Sequence, residues 1–97
     1  MKSIMITFNQ ALRESIVDIL DSLEIRGYTF WANVQGRGSE SGEPHYGSHA
    51  WPTLNSAIMV VTESKKVQPL LDRLNHLDKQ SEMQGLRAFV WNIEQSI

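Results

Sequence analysis

Two β-prone segments flank each of two amphipathic helical segments in a chain of 97 residues. That order, β-α-β, loop, β-α-β, predicts an α+β domain in which two helices cover one face of an antiparallel four-stranded sheet. A third observation sharpens the expectation. The two halves are separated by a polar stretch, Gln35 to Pro52, that carries four of the six glycines and two of the three histidines, so a long loop is inserted between strands 2 and 3.

Each element has its own signature. Ser3 to Phe8, SIMITF, is rich in β-branched and aromatic residues and reads as a strand, after which Asn9 is placed to cap a helix. From Gln10 to Leu23 the apolar residues Leu12, Ile16, Ile19, Leu20 and Leu23 recur at spacings of three and four, the helical period, and Gly27 offers a break. Tyr28 to Val34 then alternates, with Tyr28, Phe30, Ala32 and Val34 set against Thr29, Trp31 and Asn33. Ala57 to Thr62 is a continuous apolar run, expected either to be covered on both faces or to lie centrally in the sheet. Ser64 is placed to cap a second helix with a stripe of Val67, Leu70, Leu71, Leu74 and Leu77, Pro69 being tolerable near its first turn. Leu86 to Ile93 completes the set as a fourth strand. Residues 1–97 thus form one domain with the ferredoxin-like βαββαβ order, and Trp31 and Trp91 are candidates for the sheet face that no helix covers.

Composition narrows the function. Hydrophobic residues at 41% and charged residues at 21% are those of a folded domain, and nine Lys and Arg scattered along the chain form no basic stripe, which argues against nucleic-acid binding. The absence of cysteine removes disulfides, thiolate metal sites and Cys nucleophiles. The first ten residues hold too short an apolar run for a signal peptide, and no segment approaches the ~20 apolar residues that span a bilayer, so a cytoplasmic protein is expected. A chain this short exposes a large fraction of its surface, and self-association would add buried area.

Few residues are equipped for chemistry. There is no Ser-His-Asp set at a recognisable elbow, no conspicuous carboxylate pair and no HExxH, so no enzyme activity is expected. Gly36-Arg37-Gly38 directly follows a strand: glycines let backbone amides approach an anion, and Arg37 offers a planar donor fork for phosphate or carboxylate. The same glycines equally serve a loop base that needs its turns. His45 and His49, with Glu43 and Glu40 nearby, supply nitrogen and oxygen donors suited to Zn, Cu or Ni; Pro44 and Gly47 argue against a helix there, so convergence depends on the loop or on neighbouring subunits. Trp51-Pro52 reads as an anchor where the loop rejoins the sheet.

The element order, the length, the long loop and the stretch from Val34 to Gly42, VQGRGSESG, together resemble the PII signalling proteins and their short PII-like relatives. The resemblance covers nearly the whole chain. It implies a non-enzymatic homotrimeric regulator that senses a small ligand, an adenine nucleotide in that family, in clefts between subunits. It also implies that the 35–52 segment corresponds to the T-loop, which contacts a target protein such as a membrane transporter. By the same resemblance Gly36 and Gly38 match glycines whose amides face the nucleotide phosphates, and Arg87 stands where the family has a phosphate-contacting lysine.

Departures from the pattern are specific. Glu40 replaces a glutamine that helps hold 2-oxoglutarate and magnesium, which argues against 2-oxoglutarate sensing. The Gly-rich phosphate loop is reduced to Met83-Gln84-Gly85, and the sequence stops at Ile97, about where the family's further arginines begin. With Arg37, Arg87 and glycine amides as the donors of a cleft, the expected affinity for ATP is low. No tyrosine stands in the context of the family's modification site, Tyr46 being in a different setting. The alternative is a metal-responsive trimer, similar to the CutA divalent-cation tolerance family or to PII-like proteins that accompany heavy-metal efflux, with His45, His49 and Glu43 as ligands.

Overall fold

The computed structural model describes residues 1–35, 54–81 and 85–97. Four strands, β1 (Lys2–Asn9), β2 (Tyr28–Val34), β3 (Asn55–Thr62) and β4 (Arg87–Asn92), form one sheet in the order β2-β3-β1-β4. Every neighbouring pair is antiparallel. Two helices, α1 (Arg13–Ser22) and α2 (Val67–Gln80), complete the predicted ferredoxin-like α+β arrangement. β3 lies inside the sheet, which accounts for its continuous apolar run: it is central rather than covered on both faces, and Val61 remains exposed.

Strand register assigns every side chain to a face. Ile4 and Ile6 stand opposite Val60 and Ile58 on β3 and opposite Val90 and Ala88 on β4. With Phe8 they form a core against Leu12, Ile16, Ile19 and Leu20 of the first helical segment and Leu70 and Leu74 of α2. Phe8, Ile16, Leu20 and Leu70 are completely buried. Removing such a side chain costs about 3–5 kcal/mol, through lost transfer energy and the cavity left behind. The intervening residues of each strand point to the face that no helix covers.

The first helix begins differently from its periodicity. Asn9 does cap, its Oδ1 accepting from the Ala11 N–H at 2.9 Å, but the capped segment, Gln10–Leu12, is a 3₁₀ turn that passes into α1 at Arg13. The tighter turn is where Gln10 N–H is drawn onto the Leu54 carbonyl, at 2.8 Å, tying the entry of the helix to the start of β3. In the second helical segment Ser64 does not cap. It is itself the first residue of a second 3₁₀ turn, Ser64–Lys66, and among the described residues no side chain caps that turn or α2.

Nor does Gly27 end the first helix. The chain turns at Glu24, whose φ of 58° is left-handed. The Ile25 N–H donates to the Leu20 carbonyl at 2.9 Å and the Glu24 N–H to the Asp21 carbonyl at 3.0 Å. This is the Schellman pattern, with buried Ile25 and Leu20 as its apolar companions. A Cβ at Gly27 would meet nothing within 4 Å, so that glycine is not needed for space. At Glu24 the carbonyl instead accepts from Lys66 Nζ at 3.0 Å, and Arg73 donates to Ser22 Oγ at 3.2 Å, so the end of α1 is held to the α2 side of the layer.

One further departure lies in β2. Trp31 stands opposite Ala57 and Val34 opposite Asn55, so two residues of β2, Ala32 and Asn33, face one of β3, Ser56. This is a β-bulge, and it reverses the alternation, so that Val34 lies on the face of Trp31 and not with Tyr28 and Phe30. The Ser56 hydroxyl, fully buried, donates to the Ala32 carbonyl at 2.6 Å and satisfies the oxygen displaced from the ladder.

Two stability measurements check these features. Glu24→Gly removes a left-handed strain of about 1–2 kcal/mol while adding chain entropy to the unfolded state. Urea unfolding is expected to show a net gain of roughly 0.5–1 kcal/mol. Ser56→Ala is expected to cost about 1 kcal/mol, because it strands the Ala32 carbonyl, whereas Ser3→Ala is neutral or stabilising, because the buried Ser3 hydroxyl has no hydrogen-bond partner among the described residues.

Candidate functional site

Of the site residues expected from the sequence, Arg87 is described. Gly36, Arg37 and Gly38, and the metal candidates Glu43, His45 and His49, lie outside the described residues. Among the described residues no group of three or more His, Asp or Glu is arranged to hold a metal ion. His76 is exposed on α2.

What the structure does give is the position of the loop's two roots. The chain leaves β2 after Val34 and rejoins the sheet at Leu54, and Val34 and Asn55 are paired directly. Asn55 is opposite Asn9, the last residue of β1, and Arg87, the first residue of β4, is opposite Thr7. The loop roots and Arg87 therefore share one end of the sheet. They do not share an edge: β2 and β4 are the two edge strands, separated by β3 and β1. Three strand spacings put them roughly 14 Å apart. Within one protomer the strand ends that carry the loop and Arg87 therefore lie on opposite edges of the sheet.

Local backbone explains how Arg87 is presented. Gly85, with φ of 73°, makes the turn into β4 in a conformation that favours glycine. Leu86 then buries its side chain in the core, and alternation directs Arg87 away from it. The guanidinium nevertheless folds round the open edge of the sheet. Its Nη1 donates to the Leu86 carbonyl at 2.6 Å and lies 4.0 Å from Oδ2 of Asp78, in the last turn of α2. Both side chains are only partly covered, with 41% and 35% of their surface exposed.

Beside this pair an open cleft of about 340 Å³ runs between α2 and β4, lined among others by Gln68, Asp72, Asn75, Asp78 and Arg87. Two carboxylates against one guanidinium give it the wrong sign for a polyphosphate. An anion held by Arg87 would lie outside this cleft, toward the sheet edge.

The second feature is the helix-free face. Level with Arg87 the row across the sheet is Trp31, Ala57, Thr7; the next is Thr29, Met59, Met5, Phe89; the next is Val61, Ser3, Trp91. Trp31, Val61, Phe89 and Trp91 are all substantially exposed, at 40–58%. Trp31 and Trp91 fall on this face, as their strand positions predict. In these rows Arg87 is the one ionisable residue, so the face is almost uncharged. Isolated exposed hydrophobics are ordinary, but a contiguous set of this kind marks a surface made to be covered.

No helix of the described residues is long and apolar enough to cross a membrane. The family model for nitrogen regulatory protein P-II matches residues 1–97. Among curated proteins none matches the chain. Solved structures of the same fold include the nitrogen regulatory PII-like protein CPII from Thiomonas intermedia K12. In complex with ADP, AMP and bicarbonate it is 24% identical, covers 95% of this chain and 84% of its own, and superposes with a TM-score of 0.79. In complex with ADP and bicarbonate it is 25% identical over the same shares, with a TM-score of 0.78. A PII-like signalling protein from Thermus thermophilus is 21% identical over 95% of this chain and 85% of its own, with a TM-score of 0.69.

Proposed function

Because the chain belongs to the nitrogen regulatory protein P-II family, we propose that it is a non-enzymatic regulator. In this reading it forms a homotrimer, binds an adenine nucleotide between subunits, and acts on a partner protein, such as a membrane transporter, through the 35–52 segment. The observation that carries the reading is the separation of the loop roots and Arg87 onto opposite edges at one end of the sheet. Meeting of the β2 edge of one protomer with the β4 edge of the next would bring the two together in one site. The nearly uncharged helix-free face supplies a reason for protomers to associate, since burying Trp31, Met5, Met59, Phe89 and Trp91 removes large apolar areas from water.

Such a site would also transmit a signal. A nucleotide whose phosphates bridge the loop base of one subunit and Arg87 of another binds best to one loop conformation. Ligand then shifts the loop's population by its difference in affinity between conformations. Arg87 suits the role because a guanidinium gives phosphate oxygens two parallel donors. Adenine nucleotides are favoured as the ligand class by the CPII complexes with ADP, the same complexes suggesting bicarbonate as a second ligand.

Two experiments bear on this. Light scattering at micromolar concentration is expected to give a trimer, and Met5→Glu, which sets a charge at the centre of the helix-free face, is expected to give folded monomers with an unchanged far-ultraviolet spectrum; a stable wild-type monomer would refute the trimer. Calorimetric titration with ADP is expected to show saturable binding that Arg87→Gln weakens about tenfold, the loss of a charge-assisted hydrogen bond. Absence of ADP binding by the wild-type protein would remove the nucleotide reading.

A further inference from the structure

We infer that Asp78 sets the affinity of the Arg87 site by competing with the ligand for the guanidinium. This rests on the reading of Arg87 as an anion-binding residue and extends it to a second residue.

Arg87 is opposite Thr7, so its Cβ starts on the helix-free face, whereas Asp78 belongs to the helix layer. The contact between them exists because β4 is an edge strand, round which a long side chain passes freely. Arg87 thus has two destinations. Folded back, it meets Asp78 Oδ2 at 4.0 Å and the Leu86 carbonyl at 2.6 Å. Turned out, it leaves the acid-lined cleft and faces whatever lies beyond the edge.

Helix energetics do not account for the carboxylate at position 78. It stands in the last turn of α2, where the helix dipole disfavours negative charge, and the backbone bond from Ser81 N–H to the Asp78 carbonyl, at 3.2 Å, would form with any side chain there. Its charge does find a partner in Arg87. Exposure of both groups keeps that pair weak enough to exchange, since partly exposed ion pairs are worth only a factor of a few in equilibrium. An anion that takes up the guanidinium therefore displaces one carboxylate, and Asp78 lowers the affinity for it.

The test is a double-mutant cycle read by calorimetry with ADP at fixed ionic strength: wild type, Asp78→Asn, Arg87→Gln and the double variant. Asn preserves the shape of Asp, and melting temperatures of all four proteins confirm folding. The expected result is that Asp78→Asn tightens ADP binding about fivefold in the wild-type background and leaves it unchanged in the Arg87→Gln background. An unchanged affinity in Asp78→Asn, or an equal gain in both backgrounds, overturns the competition while leaving Arg87 as a ligand contact. If Arg87→Gln binds ADP as tightly as wild type, or no protein binds it, the underlying assignment of Arg87 fails, and the role of Asp78 with it.

Discussion

The structure depends on the register of β1, which is hydrogen-bonded to β3 on one side and β4 on the other. Side chains alternate with a period of two, so a slip of one residue would carry Ile4, Ile6 and Phe8 out of the core and put Ser3, Met5 and Thr7 beneath the helices. The helices anchor the correct choice, because Ile16, Leu20, Leu70 and Leu74 share one core with Ile4, Ile6, Phe8, Ile58 and Val60. Everything of functional interest follows from that single alignment: which residues line the uncovered face, which end of the sheet receives the loop roots, and where Arg87 emerges.

Much of this was legible in the sequence because it is local. The helical spacing of Leu12, Ile16, Ile19 and Leu20 and the alternation through Tyr28, Phe30 and Trp31 are properties of short windows, and the elements they imply are present. The misread details are those in which distant residues decide. Ser64 has the chemistry of a cap, yet the chain enters α2 through a 3₁₀ turn at that point. Gly27 has the freedom of a helix stop, yet the Schellman bonds and the burial of Ile25 place the left-handed residue at Glu24. The bulge in β2 depends on what β3 presents across the ladder, so the face taken by Val34 could not be read from β2 alone.

The candidate site divides in the same way. Arg87 is singled out through the resemblance to the PII proteins, at the position of their phosphate-contacting lysine. Its relation to Asp78, nine residues earlier on a different element, could not be read from the sequence, because the distance between them is set by the packing of α2 on the sheet. The sheet order likewise separates the loop roots from Arg87, although both lie at the same end. That separation is invisible in any linear pattern, since βαββαβ order says which elements occur before it says which edges are free.

An apolar face and a divided site answer each other. A chain of this length that left Trp31, Phe89 and Trp91 exposed would carry an aggregation hazard, and a site split between two edges would bind nothing tightly alone. The proposed trimer would resolve both at once, covering the face and bringing unlike edges together. Ligand affinity then becomes linked to assembly, because a ligand that bridges two protomers stabilises the assembled form by mass action. A regulator built this way gains a second consequence from the Arg87–Asp78 contact. On the proposed reading the guanidinium would stay with its own subunit until an anion outcompeted the carboxylate, so a link between subunits would form with the ligand and relax without it.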